Sequence, residues 1–406
     1  MLPVFFGHRA GKLMYYRFQP QVYPVAGTSG VCIYDLSQRK LWHAPADAFA
    51  ILRRACSDAD AAFSPAESEM LRQMCDAGLL TESEAPAPFP DITELRGKPV
   101  IRQAWIEICT DCNLHCRHCY NEASGSGIRM SRADFSLVCD RLTQAGIGDI
   151  QIIGGEPFRH PDICKILGSA AKSFRHIEIF TNGTLLTEAH CRLLKALGIR
   201  LALSVYSDTP EMHDAVTGHR GSHAAVMQTI ALLRQYEIPF RTAAIAMKGI
   251  ESPASADVVR MSGRGSLDLL SPALLRRKLI TKDSFRRPLD PARVAAAVSG
   301  NPCFARKIYI AADLTVFPCV MERRLQHGSL RHDPLDAVLS PEILHWNRDR
   351  VPACSICEYR YACAPCLPDA CSDDPAEKPY FCTYDAASGI WNDPAAQIAA
   401  ILGGNT

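Results

Sequence analysis

The sequence has no excess of charge of either sign. Its 44 lysines and arginines against 43 aspartates and glutamates leave a formal +1, so no global basic field argues for nucleic acid. No apolar run approaches the length of a membrane-spanning helix. The opening, MLPVFFGHRAGK, has an apolar patch too short for a secretory signal, with its charges on the wrong side. Tandem repeats are absent as well. Together these absences predict a cytoplasmic protein with neither a nucleic acid nor a membrane as partner. They also make one abundance conspicuous: 18 cysteines, in a compartment that does not favour disulfides. Cysteines clustered at short spacing in such a chain read as metal ligands.

The length of 406 residues predicts two to three domains. Residues 1–83 read as a small α+β unit. Strand-like runs LMYYRF, GVCIYDL and KLWHA come first. A helical pattern, PADAFAILRRAC, follows with Pro45 near its start, where a missing N–H costs nothing. The next helix opens on a capping box, Ser64 with Glu67, and closes at Gly78. Proline-rich residues 84–97 form a linker. From 98 to 299 strands and helices alternate: VIRQAWIEIC, DIQIIGG, HIEIFTNG, RLALSVYS and PFRTAAIAMK are separated by amphipathic helices capped by Ser131 and Thr187. Repeated units of this kind predict an α/β fold with a parallel sheet, whose active site lies at the carboxyl ends of the strands. The pattern falters between Lys248 and Asp257, where a helix is missing before ADVVRM. Arg260 to Arg293 is basic and reads as a solvated face. Residues 300–406 are loop-rich and cysteine-rich.

The cysteines are uneven. Cys139, Cys164 and Cys191 fall inside helical patterns and read as small buried apolar residues. Cys112, Cys116 and Cys119 share the loop after the first strand of the repeating region. Three thiolates on a four-iron cluster leave one iron open, as a catalytic metal site keeps a free position. The structural alternative adds Cys109 and closes a four-cysteine zinc knot. That fits poorly, because zinc sites draw ligands from two separated pairs, and Cys109 belongs to the strand. After the next strand comes Gly154-Gly155-Glu156-Pro157. Its glycines allow close backbone approach to a ligand, and Glu156 offers a carboxylate to a cationic amine.

CNLHCRHCY, GGEP, FTNGTLL and LSVYS with HDAVTGHRGSH resemble the radical S-adenosylmethionine (SAM) enzymes over about residues 97–250. The resemblance implies a partial (β/α)6 barrel and a 4Fe-4S cluster whose open iron binds SAM. It implies that the cluster injects an electron into SAM and that the resulting 5′-deoxyadenosyl radical abstracts a hydrogen. It places Gly154, Gly155, Glu156 and Pro157 at the SAM amino group and His118 beside the adenine. Thr181, Asn182 and Ser204 stand at strand ends that touch SAM, or serve only as turn and strand caps. His213 and Asp214 read as structural.

Eight further cysteines lie between Cys303 and Cys382, enough to close two four-cysteine clusters; a pair of zinc ribbons is the alternative. Their spacing resembles the SPASM extension, which carries auxiliary 4Fe-4S clusters. By that resemblance Cys354, Cys357, Cys363 and Cys382 form one cluster, and Cys303, Cys319, Cys366 and Cys371 the other. Two departures stand out: Leu314 occupies a position where glycine is common, and Cys371 is extra. Residues 1–83 resemble a winged-helix-like precursor-peptide recognition domain, with GVCIYDL or KLWHA offering a strand edge to a leader peptide. A DNA-binding winged helix is disfavoured by the lack of a basic cluster. The expectation is a radical SAM maturase that crosslinks a ribosomally made peptide, with a flavodoxin- or ferredoxin-type reductant. The rivals are an enzyme of the same superfamily acting on a folded protein or small molecule, such as a sulfatase-maturase type, and a non-catalytic zinc-scaffolded binding module.

Overall fold

The computed structural model describes residues 14–121, 127–261, 267–363, 366–370 and 373–403. Five strands lie in the N-terminal unit: β1 (Tyr15–Phe18), β2 (Val22–Ala26), β3 (Gly30–Asp35), β4 (Lys40–Pro45) and β5 (Leu80–Ser83). β2, β3 and β4 form an antiparallel sheet in that order, and β1 pairs separately with β5. β2 is a strand that the sequence reading lacks. Pro24 interrupts its pattern, but β2 pairs only with β3, and an edge strand tolerates proline. β3 is paired on both sides, so GVCIYDL offers no free edge; KLWHA, as β4, does. Helix α1 (Ala48–Ser57) begins three residues after Pro45, which ends β4 instead of opening the helix. Helix α2 (Pro65–Asp76) carries the expected capping box, with Ser64 and Glu67 bonding reciprocally.

Six parallel strands form the repeating region: β6 (Gln103–Glu107), β7 (Asp149–Ile153), β8 (His176–Thr181), β9 (Arg200–Ser204), β10 (Phe240–Ala246) and β11 (Val258–Met261). Helices α3 (Arg132–Gln144), α4 (Ile163–Ser173), α5 (Glu188–Leu197), α6 (Pro210–Thr217) and α7 (Ser222–Gln235) connect them as far as β10. No helix is present between β10 and β11. Beyond α8 (Pro272–Lys278) and α9 (Pro291–Ser299), β12 (Lys307–Ile310) returns to pair parallel with β6. β13 (Thr315–Phe317) and β14 (Gly328–Ser329) then extend the same sheet antiparallel. The nine-stranded sheet therefore runs across residue 299.

Alternation along the strands sorts the two faces. Ala104, Ile106, Ile150, Ile152, Ile177, Ile179, Leu201 and Leu203 pack under the helices as the main core. The opposite, inner face is mixed: Gln151 Nε2 donates to Glu178 (2.8 Å), which also accepts from Arg241 (2.8 Å), while Ile153, Trp105, Phe180 and Tyr309 form an apolar cluster beside them. Cys139 and Cys191 are buried as expected, but Cys164 is exposed. It precedes by two positions the buried stripe residue Ile166, and so falls on the solvent side of α4. Among the described residues no helix is long and apolar enough to cross a membrane.

Candidate functional site

The loop after β6 carries Cys112, Cys116 and Cys119 at the carboxyl end of the sheet, and four elements fix it. Gly155 N donates to Cys109 O (2.8 Å) and Glu156 N to Asp111 O (2.9 Å), so the β6–β7 ladder continues into the loop. Met130 N donates to Ile108 O (2.9 Å) on the other side. From the end of β8, Asn182 Nδ2 donates to Asn113 Oδ1 (3.0 Å) and reaches Cys112 Sγ at 3.8 Å. From the end of α6, Thr217 O and Val216 O accept from His115 N and Arg117 N (2.9 and 3.0 Å). The segment HDAVTG thus cradles the cluster loop, and Gly218 (φ 66°) keeps its Cα side clear of His115 O.

The glycines of GGEP have a reason that the sequence did not reveal. A Cβ on Gly154 would lie 2.6 Å from Cys109 O, and one on Gly155 would overlap the Asp111 carbonyl. They let two strand ends touch each other. Glu156 is fully buried, and its carboxylate accepts from Thr181 Oγ1 (2.7 Å), Asn182 N (2.8 Å) and Phe158 N (3.1 Å). Burial pushes its carboxyl up to about 7 against these three donors. The side chain therefore ties β7 to β8, with its acceptors turned to the protein. Pro157, also buried, opens the short turn that follows.

Cys109 points into the core, its Sγ donating to Glu156 O (3.3 Å). That leaves three cysteines facing the site. Burial pushes Cys116 up to about 12 and raises Cys112. As free thiols they would stay protonated at neutral pH; coordination to a metal is what deprotonates such groups. His118, between the last two cysteines, sets its ring edge on Tyr206 at 4.6 Å, and burial pushes it down to about 4. Its Nδ1 has no partner. Tyr206 packs against Cys116; burial raises its hydroxyl well above the usual range, and Ser204 opposes that rise.

Sequence reasoning missed Tyr206, Asn113 and an ionic brace. Asp111 accepts from Arg129 (2.8 Å) and Arg159 (2.9 Å), which hold its carboxyl below the usual range. These partners are 18 and 48 residues away, beyond any local pattern. His213 and Asp214 are structural as expected. His213 Nδ1 accepts from Tyr206 N (3.2 Å), and Asp214 caps α7 through Gly221 N and His223 N.

In the C-terminal region Cys354, Cys357, Cys363 and Cys382 line one cavity, together with Arg348, Arg360 and Lys378. Burial raises all of the three thiols Cys357, Cys363 and Cys382. Cys319 packs with Phe304, beside Cys303, and with Leu367, beside Cys366. Cys371 lies outside the described residues. Leu314, at the usual glycine position, has φ 75° and is wholly buried. The left-handed turn is kept, and a leucine fills it. Among the described residues no three His, Cys, Asp or Glu side chains close on a single-ion position; the four sulfurs surround a space.

The sequence model of the radical SAM superfamily matches residues 106–253. The subtilosin biosynthesis protein AlbA of Bacillus subtilis is 34% identical over 148 residues, 36% of this chain and 33% of that protein. The AdoMet-dependent heme synthase of Methanosarcina barkeri is 24% identical over 69% of this chain and 95% of its own. Streptococcus suis SuiB bound to precursor peptide SuiA aligns over 90% of this chain and 98% of that one, at 10% identity and a TM-score of 0.48. The three-cysteine loop, GGEP and the β8 end all converge within residues 106–253, the segment that matches the radical SAM superfamily.

Proposed function

We propose that this chain is a peptide maturase: it abstracts a hydrogen from a ribosomally made precursor peptide and closes an intramolecular C–C or C–S crosslink. The observation that carries the peptide is β4, paired on one edge only, in a sheet docked on the four-cysteine cavity. An extended leader can add to that edge through main-chain hydrogen bonds. The Bacillus relative, named for bacteriocin biosynthesis, supports the same substrate class. The stretch between β10 and β11, which forms no helix, supports it too, since a missing helix there would leave room for a bulky chain.

Cluster and SAM together supply the radical chemistry. Cys112, Cys116 and Cys119 would hold the cluster and leave one iron for SAM. The Gly154–Pro157 backbone would meet the SAM amino group, His118 the adenine, and Thr181, Asn182 and Ser204 the rim. Cys354, Cys357, Cys363 and Cys382 would hold one auxiliary cluster, and Cys303, Cys319, Cys366 and Cys371 the other. The polar groups of the inner face would orient the peptide, and the apolar cluster beside them would exclude water. A flavodoxin- or ferredoxin-type protein would deliver the electron.

A second reading, a small-molecule enzyme, is favoured by the heme synthase similarity across most of the chain. Anaerobic co-expression with the short open reading frame beside the gene separates the two. Loss of two hydrogens from the peptide, abolished by Cys116→Ala, supports the maturase, as does slowed amide exchange in β4 on adding the peptide. An unchanged mass and unprotected β4 amides favour the small molecule.

A further inference from the structure

Arg348 is a largely buried cation with no carboxylate partner among the described residues. It is 9% exposed, on the turn Arg348–Arg350, and lines the four-cysteine cavity. It also lines the adjoining cavity, shared with Cys363, Asn347 and Leu367. The acids nearby are engaged elsewhere. Asp349 takes Arg360 Nε (3.0 Å) and the Tyr361 hydroxyl (3.0 Å). Glu358 takes the Tyr384 hydroxyl (2.5 Å) and faces His43 (3.2 Å). No carboxylate lines the cavity. A guanidinium that faces an enclosed space lined by no carboxylate favours an anion in that space. Four neutral thiols cannot supply it. A centre held by four thiolates can, and the charge of Arg348 acts directly on Cys363 and Cys382.

We infer that Arg348 is the internal counter-charge of the Cys354–Cys357–Cys363–Cys382 centre and sets its reduction potential. The inference rests on the proposed iron–sulfur reading of that cavity. Cluster potentials follow net charge, hydrogen bonding and exposure. Reduction makes the centre more negative, which a fixed cation favours. Losing the cation therefore lowers the potential, while losing shape alone has no required sign. A positioning role through charge is thus separable from a packing role by keeping the charge and changing the shape.

The test is an EPR-monitored redox titration of Cys116→Ala protein, in which the SAM cluster no longer contributes, alone and combined with Arg348→Gln or Arg348→Lys. The expected result is that Arg348→Gln moves one centre to lower potential by about tenfold in its oxidised-to-reduced ratio, 59 mV for one electron. Arg348→Lys stays within about threefold of the parent, and any second auxiliary centre is unmoved. Equal shifts in both variants, or none in either, overturn the inference. If Arg348→Gln loses the centre altogether, recovery of its iron in Arg348→Lys supports the charge role, and loss in both overturns it. Iron and zinc analysis of the parent stands apart: zinc in place of iron there overturns the cluster reading itself and this inference with it.

Discussion

His43 Nε2 stands 3.2 Å from Glu358 Oε1. His43 is on β4, and Glu358 lies between Cys357 and Tyr359 on the loop that carries three of the four cavity cysteines. The contact belongs to a wider seam. Tyr34 donates to Glu358 O (3.0 Å), Thr28 N to Ile356 O (2.9 Å) and Arg360 to Ala26 O (2.9 Å). The N-terminal sheet therefore braces the cysteine loop from outside the cavity that the loop lines. Deleting residues 1–83 would unbrace that loop as well as remove a peptide edge, which is why amide protection of β4 is the cleaner probe of peptide binding.

The seam predicts the effect of Gly27→Ala. A Cβ there would lie 2.6 Å from Glu358 N and 2.8 Å from Ile356 O, both backbone atoms that cannot swing aside. The cysteine loop must shift. The expected cost is about 1–3 kcal/mol, with loss of about four irons, one cluster's content. Denaturant melts and iron analysis read both, and a variant with parental stability and iron would show that the seam does not shape the site.

The same geometry at the other centre predicts a different loss. In Gly155→Ala the new Cβ meets the Asp111 carbonyl, so β7 must part from the loop that holds Cys112. Iron of the SAM cluster and SAM binding should both fall, with the auxiliary iron retained. Equilibrium dialysis with SAM, beside iron content, distinguishes this from general unfolding.

What the sequence made legible was local. Cysteine spacing, the capping boxes and the repeating strands all act within one turn or one element. What it hid was contact across the chain. GGEP reads only as a ligand-facing turn, and its second role, the close approach of Gly154 and Gly155 to Cys109 and Asp111, depends on contacts across the chain. Asp111 looks like an ordinary loop acid until Arg129 and Arg159 fold onto it. β2 was masked by Pro24, whose penalty lapses at a sheet edge. Strands β12 to β14 join the barrel sheet from beyond a boundary drawn on composition, because pairing with β6 is settled by register and burial rather than by residue type.

Leu314 sets two magnitudes against each other. A left-handed backbone costs a leucine roughly 1–2 kcal/mol, and Leu314→Gly would relieve it. The same change empties a wholly buried site, costing about 3–5 kcal/mol by analogy with leucine truncations. Burial wins, so Leu314→Gly should destabilise by roughly 1–4 kcal/mol. Leu314→Ala, which keeps the strain and loses the packing, should be worse than glycine. The reverse order in denaturant melts would mean that the turn does not constrain this residue.

Glu156 predicts a pH dependence of definite sign. Burial raises its carboxyl from 4.5 to about 7 in the folded chain. Between those values the folded state holds more protons than the unfolded one, so stability falls as pH rises and levels off above about 7. The whole effect is at most about 3 kcal/mol. Asp111, held below its usual range by two arginines, stays ionised throughout and adds no slope there. Glu156→Gln cannot ionise, so its stability should be flat in this window. It should also carry a constant penalty of about 1–3 kcal/mol, because its amide N–H₂ must face either Asn182 N or the Thr181 and Phe158 donors. Anaerobic denaturant titrations at several pH values from 5 to 8 separate slope from offset. A parent curve as flat as that of the glutamine variant would mean that Glu156 is ionised across the whole range, held by its three donors more strongly than burial opposes it.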